Sequence, residues 1–174
     1  IHYSAAKMCY STTPAIGTIT HLRGRVMDIK GNPIKNAMVE IWQCDANQVY
    51  LHTKDSIPKA AQQDKNFQGY GMFETDSKGN YYFRTIKPVP YPGRPAPHIH
   101  IKVKKEGKEL ITTQLMIKGF AGNMQDGIFR QVGGPAEQAR ISADFLPKKD
   151  SKIGELNANH DIIVGLTHNE LSTH

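Results

Sequence analysis

The sequence predicts an all-β fold: an antiparallel β-sandwich with long loops and little helix, built as one domain over residues 1–174. Three observations lead there. Short segments rich in β-branched and aromatic residues recur along the chain, turn residues separate them at hairpin-like spacing, and helical periodicity is nearly absent.

The first strand is expected at Ile19–Asp28, followed by the turn Lys30-Gly31-Asn32-Pro33. A second strand follows at Ala37–Gln43, where Val39 and Ile41 alternate with Met38, Glu40 and Trp42. Alternation of this kind gives a strand one apolar and one polar face. Gly71–Thr75 and Tyr81–Lys87 flank Asp76-Ser77-Lys78-Gly79-Asn80, which has the composition of a hairpin loop. His98–Lys104 and Leu110–Ile117 flank Glu106-Gly107-Lys108, a second hairpin, and a last strand is expected at His160–Leu166. Two long irregular stretches interrupt this order. They are Cys44–Tyr70, which carries Tyr50, His52 and Asp55, and Gly119–Lys152, with Gly133-Gly134-Pro135 and a short helix over Ala136–Ile141. Loops of that length in a compact domain are usually functional.

Hydrophobic residues make up 39% of the 174 and charged residues 22%, enough apolar material for a substantial core. No apolar run approaches bilayer length, so no membrane association is expected. The net charge is +6, but the lysines are dispersed and no basic stretch is interleaved with aromatics, so no nucleic-acid partner is expected. Lys102, Lys104, Lys105 and Lys108 read as the solvated edge of a hairpin. The chain begins at Ile1, and a removed secretory signal is the expectation. Cys9 and Cys44 allow either one disulfide or two buried thiols, and their number leaves both open.

The most informative run is Tyr91-Pro92-Gly93-Arg94-Pro95-Ala96-Pro97-His98-Ile99-His100. On a strand, His98 and His100 share a face with Cα atoms roughly 6.6 Å apart, while Ile99, Ile101 and Val103 face the core. Pro90, Pro92, Pro95 and Pro97 stiffen the approach and hold Tyr91 beside the imidazoles. Two histidines with a tyrosine point to a hard, oxidised metal, and so to a ferric enzyme.

Set in order, Trp42-Gln43-Cys44-Asp45, Tyr50, Asp55, Asn66-Phe67-Gln68-Gly69-Tyr70-Gly71, Thr75-Asp76, Gly79-Asn80-Tyr81-Tyr82-Phe83-Arg84-Thr85-Ile86, Tyr91-Pro92 and His98-Ile99-His100 resemble the intradiol ring-cleavage dioxygenases. The likeness runs from about Gly24 to about Gly119. It implies one Fe(III) per chain, held by Tyr50, Tyr91, His98 and His100, with Tyr91 displaced by substrate and serving as a base. It implies a catechol and O2 as the small-molecule partners, and ring opening between the two hydroxyl-bearing carbons to a muconate-type diacid. Arg94 matches the arginine that stabilises charge on the bound ring, and Gln114 a glutamine beside it.

The chain also departs from the family's usual pattern. Six residues separate Tyr91 from His98, fewer than is usual, and Arg94 precedes His98 by four positions where three is commoner. Gly93 replaces a bulky residue, Ala15-Ile16-Gly17 stands where Gly-Pro-Tyr-Tyr is usual, and a long helical dimerisation segment is missing. These departures imply a shallow, open pocket and a monomer. The short form resembles the family's secreted branch, which implies a Cys9–Cys44 disulfide. His52 and Asp55 are expected to make local turn hydrogen bonds, and Trp42 and Phe83 to belong to the core.

Two other readings compete. Gly24-x-Val26-x-Asp28, Gly31-x-Pro33 and Ala37-x-Val39-Glu40 also resemble transthyretin-like modules with no catalytic role. A cupin-type Fe(II) oxygenase would pair His98 and His100 with a carboxylate, for which Glu106 is the nearest candidate.

Overall fold

The structure, a computed structural model, describes residues 13–50 and 60–170. Among the described residues, ten strands form two facing sheets: β1 (Ile19–Met27), β2 (Met38–Trp42), β3 (Tyr70–Glu74), β4 (Asn80–Ile86), β5 (His98–Lys105), β6 (Lys108–Ile117), β7 (Ser142–Ala143), β8 (Phe145–Pro147), β9 (Leu156–Asn159) and β10 (Ile162–Ile163). In the first sheet, β1 pairs with β4, β9 and β10, and β8 pairs with β9; the second runs β3-β2-β5-β6-β7.

Alternation along the strands puts the core between the sheets. Leu22, Val26, Tyr81, Phe83, Ala158 and Ile162 of the first meet Val39, Ile41, Ile99, Ile101, Val103 and Leu115 of the second, all buried. Each such isoleucine or leucine contributes roughly 1.5–3 kcal/mol relative to exposure. The expected placement of Ile99, Ile101, Val103 and Phe83 in the core holds.

The sheets are mixed rather than purely antiparallel. β1 runs parallel to β9 and β10, and β6 parallel to β7. These pairings join strands far apart in the chain, which no local turn signal announces. The last strand begins earlier than expected, at Leu156, and is interrupted at His160 and Asp161. β9 and β10 nevertheless keep one register against β1 across the break, where the Arg23 carbonyl accepts from His160 N (2.8 Å). Gly24 lies opposite the interruption, and a Cβ there would fall 1.7 Å from the His160 carbonyl oxygen. Only glycine allows that approach.

The Asp76–Asn80 segment is a corner between the sheets, not a hairpin: β3 pairs with β2, whereas β4 pairs with β1. Asp76 builds it, its Oδ1 accepting from Lys78 N and Asn80 N (both 2.8 Å) and its Oδ2 from Asn80 Nδ2 (2.9 Å). Asp28 makes the same three bonds to Lys30 and Asn32 in the first turn. Both loops read Asp-x-Lys-Gly-Asn, so one local chemistry serves two topologies. The β5–β6 turn is a true hairpin, with Glu106 at φ 50° and Gly107 at φ 76°.

The 119–152 stretch is more ordered than expected. It holds a 3₁₀ turn (Ala121–Gln125), helix α1 (Gly127–Gln131), helix α2 (Pro135–Arg140) and the short strands β7 and β8. α2 begins one residue before the expected Ala136, with Pro135 in its first turn. Ala96, Met116, Phe129, Val132 and Ile141 form a second apolar cluster that seats α1 beneath the proline-rich loop. Among the described residues, no helix is long and apolar enough to cross a membrane.

Candidate active site

His98 and His100 occupy the face of β5 opposite the core, on the outside of the second sheet. Cross-strand pairing makes a row of Tyr70, Trp42, His100 and Gln114 across four strands. Trp42 is half-buried and stacks on His100, centroids 4.9 Å apart and planes 3° from parallel. It therefore packs at the site rather than in the core where it was expected. Lys102 Nζ lies 5.9 Å from the Trp42 ring centroid, and Lys102 and Lys104 pair with Glu109 and Glu40 (3.3 and 2.9 Å) instead of standing free in solvent.

Tyr91 arrives on a tight turn. Tyr91 and Arg94 exchange both backbone hydrogen bonds (3.1 and 2.9 Å), with Pro92 and Gly93 between them and Gly93 at φ 87°. This is the type II signature, proline then a positive-φ glycine. It explains Gly93: a bulky side chain is strained at that φ.

Tyr50 follows a loop tied by Asp45. The Asp45 carboxylate accepts from Asn47 N, Val49 N and Asp64 N (2.9, 2.9 and 2.7 Å), while Asp45 N donates to the Val49 carbonyl. Asp64 accepts in turn from Ile16 N (2.7 Å). The buried Cys44 thiol lies nearby, 4.0 Å from the Val89 carbonyl oxygen. Cys9, His52 and Asp55 lie outside the described residues.

The four aromatic side chains converge. Ring centroids are 5.4 Å apart for Tyr50–Tyr91, 6.2 Å for Tyr50–His100, 5.5 Å for Tyr91–His98 and 4.8 Å for His98–His100. The Ala96 carbonyl sits 2.8 Å from His98 Nδ1, so Nδ1 carries the proton and Nε2 keeps its lone pair. That Nε2 and the Tyr50 hydroxyl are both buried without a hydrogen-bond partner. Unpaired buried polar atoms are costly, and two of them within one cluster of rings mark a candidate donor set. Burial pushes His98 down to about 4; burial, then the His98 and Arg94 charges, push His100 down to about 3, so both rings are neutral at neutral pH. Burial, reinforced by Tyr91, drives the Tyr50 phenol well above its ordinary value. A Tyr50 phenolate therefore needs a cation against it.

Arg94 is clamped. Its Nε donates to Asp126 Oδ2 (2.8 Å) and its Nη2 to Gln114 Oε1 (2.6 Å). Asp126, fully buried, also accepts from Ala96 N (3.4 Å) and caps α1 through Ile128 N and Phe129 N (3.0 and 3.2 Å). The expected neighbourhood of Arg94 and Gln114 thus holds, but Asp126 was missed. Its signal was present as a helix-capping aspartate before Gly127-Ile128-Phe129. Gly122 packs the preceding turn against the same loop, where a Cβ would lie 2.4 Å from the Pro95 carbonyl oxygen.

The cupin arrangement finds no support. Glu106 is exposed at the far tip of the β5–β6 hairpin, and among the described residues no group of three His, Cys, Asp or Glu side chains could hold a metal. Among the described residues, the phenols of Tyr50 and Tyr91 lie beside the imidazole pair.

A model of the family described as "Dioxygenase" matches residues 4–143. The chain is similar to the protocatechuate 3,4-dioxygenase beta chain of Burkholderia cepacia, 38% identical over 125 residues, covering 67% of this chain and 51% of that one. It is similar in structure to a catechol 1,2-dioxygenase from Acinetobacter sp. ADP1, with TM-score 0.68 and 25% identity, covering 94% of this chain and 56% of that one. An intradiol ring-cleavage dioxygenase from Tetranychus urticae shares the fold over 98% of this chain and 97% of its own, with TM-score 0.67 and 19% identity. The chain spans about half or less of the length of the curated relatives it matches.

Proposed function

Because the chain belongs to the intradiol ring-cleavage dioxygenase family, we propose that it is a non-haem Fe(III) enzyme, with one iron per chain, that opens catecholic rings with O2 between the two hydroxyl-bearing carbons to give muconate-type diacids. The observation that carries this reading is the pair of unpartnered buried atoms, Tyr50 Oη and His98 Nε2, within the four-ring cluster. Tyr50, Tyr91, His98 and His100 would hold the metal. Two phenolates are hard anionic donors and favour the ferric over the ferrous ion. A ferric ion bound there supplies Lewis acidity to a chelated catechol.

The chain's own groups do the rest. The Ala96 carbonyl holds His98 in the tautomer that presents Nε2. Trp42 keeps the plane of His100. Tyr91, half-buried on its turn, would as a phenolate accept a proton from an incoming catechol hydroxyl. Arg94, held by Asp126 and Gln114, faces the cluster with its charge and stabilises negative charge building on the ring. Gly93 is exposed and a Cβ there would meet nothing within 4 Å, which supports an open mouth accepting substituted rings. The relatives named for protocatechuate, catechol and hydroxyquinol fit a catechol as the substrate class. A secreted monomer belongs to the same proposal.

The test is colour and product. Tyrosinate bound to Fe(III) makes the iron-loaded protein burgundy, and catechol shifts the colour. Oxygen uptake over a panel of substituted catechols should yield ring-opened diacids by mass. Tyr50→Phe should bleach the colour and abolish turnover; retained colour and rate would remove Tyr50 from the site. Products opened beside the hydroxyls, or a colourless iron-loaded protein, would overturn the reading.

A further inference from the structure

The outer face of the first sheet, on the opposite side of the sandwich from the ring cluster, carries a second polar construction. Tyr82 points outward from β4 because its neighbours Tyr81 and Phe83 are buried in the core. Its hydroxyl lies 2.7 Å from Nδ1 of His21 on β1, and His21 Nε2 lies 3.0 Å from Glu155 Oε1. The other oxygen of Glu155 accepts from Lys148 Nζ (3.2 Å) and Ser151 Oγ (3.1 Å), and Ser151 Oγ accepts from Glu155 N (2.9 Å). Both carboxylate oxygens are thus committed.

That commitment settles the tautomer. His21, with Lys148 behind it, holds the Glu155 carboxyl down at about 2, so it is an anion and accepts a hydrogen bond from Nε2–H. In the tautomer that carries its proton on Nε2, Nδ1 is the acceptor and the Tyr82 hydroxyl donates into it. Arg23 stands over the Tyr82 ring, its Cζ 5.4 Å from the centroid, a cation on the ring face. The His21 and Glu155 side chains are 11% and 14% exposed, whereas Tyr82 is 36% exposed. The relay is shielded behind an open hydroxyl. A cleft of about 590 Å³ adjoins Tyr82, lined also by Arg23, Arg25, Asn80 and Asn159.

A nucleophile, a base within hydrogen-bond reach and a carboxylate orienting that base form the arrangement that activates weak hydroxyls. We propose that Tyr82 is a nucleophilic modification site that takes acyl groups from aryl esters, with His21 as its base and Glu155 orienting His21. Tyr82 Oη attacks the ester carbonyl carbon while its proton passes to His21 Nδ1. The carbon–oxygen bond to the leaving phenol breaks, and the departing phenolate takes the proton from His21. The products are an O-acyl tyrosine and a free phenol, with no change of oxidation state. The site uses nothing from the ring cluster and stands whether or not iron binds there.

The competing account is a clip that only fastens β4, β1 and the segment before β9. Reactivity separates the two. The full chain is incubated with p-nitrophenyl acetate, phenol release is followed by absorbance, and the acetylated residue is located by peptide mass mapping. Tyr82 should gain one acetyl group and should react faster in the native chain than in the same chain unfolded in urea. His21→Gln should slow its labelling about a hundredfold, the scale of a lost general base. Glu155→Gln should slow it less, and Tyr82→Phe should remove that acetyl group altogether. Labelling of Tyr82 at equal rates in native and urea-unfolded chains would overturn the proposal, and that comparison needs no variant to fold. Equal rates in the wild type and a folded His21→Gln would overturn it as well.

Discussion

The indole of Trp42 lies flat on the imidazole of His100, from the neighbouring strand and at the paired position. Strand pairing places the two rings, so the plane of the imidazole depends on the indole stacked on it. Groups that orient a metal-binding histidine commonly change metal affinity by 10- to 100-fold. Trp42→Leu should therefore weaken iron retention about tenfold, measured by dialysis against a chelator, whereas Trp42→Phe should keep most of it. Equal retention in all three proteins would reduce the stack to packing.

Asp126 joins three things at once: Arg94, the backbone leading to His98 and the first turn of α1. Removing one partner of a buried ion pair costs about 3 kcal/mol or more. Asp126→Asn should lower the unfolding midpoint accordingly and reduce kcat with iron content unchanged. Loss of iron without loss of stability would place Asp126 elsewhere in the scheme.

His160 should make the protein acid-sensitive. Its ring is buried, Nε2 has no hydrogen-bond partner, and burial pushes it down to about 4. In the unfolded chain it titrates near 6.5. Between those values the unfolded state binds the extra proton, so stability is full above about pH 6.5 and falls as the pH drops toward 4. Urea titrations across that window should show a shallower slope in His160→Gln than in the wild type; parallel slopes would assign the acid response to other groups.

Two glycines should behave in opposite ways. At Gly24 a Cβ would meet the His160 carbonyl at 1.7 Å, a backbone clash with nowhere to move. Gly24→Ala should prevent folding or cost several kcal/mol, more than about 3. Gly31, at φ 82° with open space around it, should cost about 1 kcal/mol on substitution by alanine. Similar losses at both positions, measured by thermal unfolding, would contradict this account.

Much of the site was legible because its chemistry is carried by residue type and order. The His-x-His spacing places two rings on one face of any strand, and the structure adds that Tyr50 and Tyr91 come within ring contact of them. Trp42 was misjudged because an indole next to alternating apolar residues looks like core from one strand alone; its partner belongs to another. Asp126 was passed over because its charge partner, Arg94, is 32 residues away. The fold shows the same divide. Glu106-Gly107 turned out a hairpin and Asp76–Asn80 a corner, though both present the right loop residues, since which sheet a strand joins is decided by distant partners.

The interrupted strand opposite Gly24 has a consequence for the order of assembly. β2, β3, β5 and β6, the platform beneath the four rings, are near neighbours along the chain, whereas β1 receives β9 and β10 from the other end of the polypeptide. Closing that longest loop carries the largest entropic penalty and comes late. The sheet that carries the four rings can therefore take shape while the seam of β1 with β9 and β10 is still open.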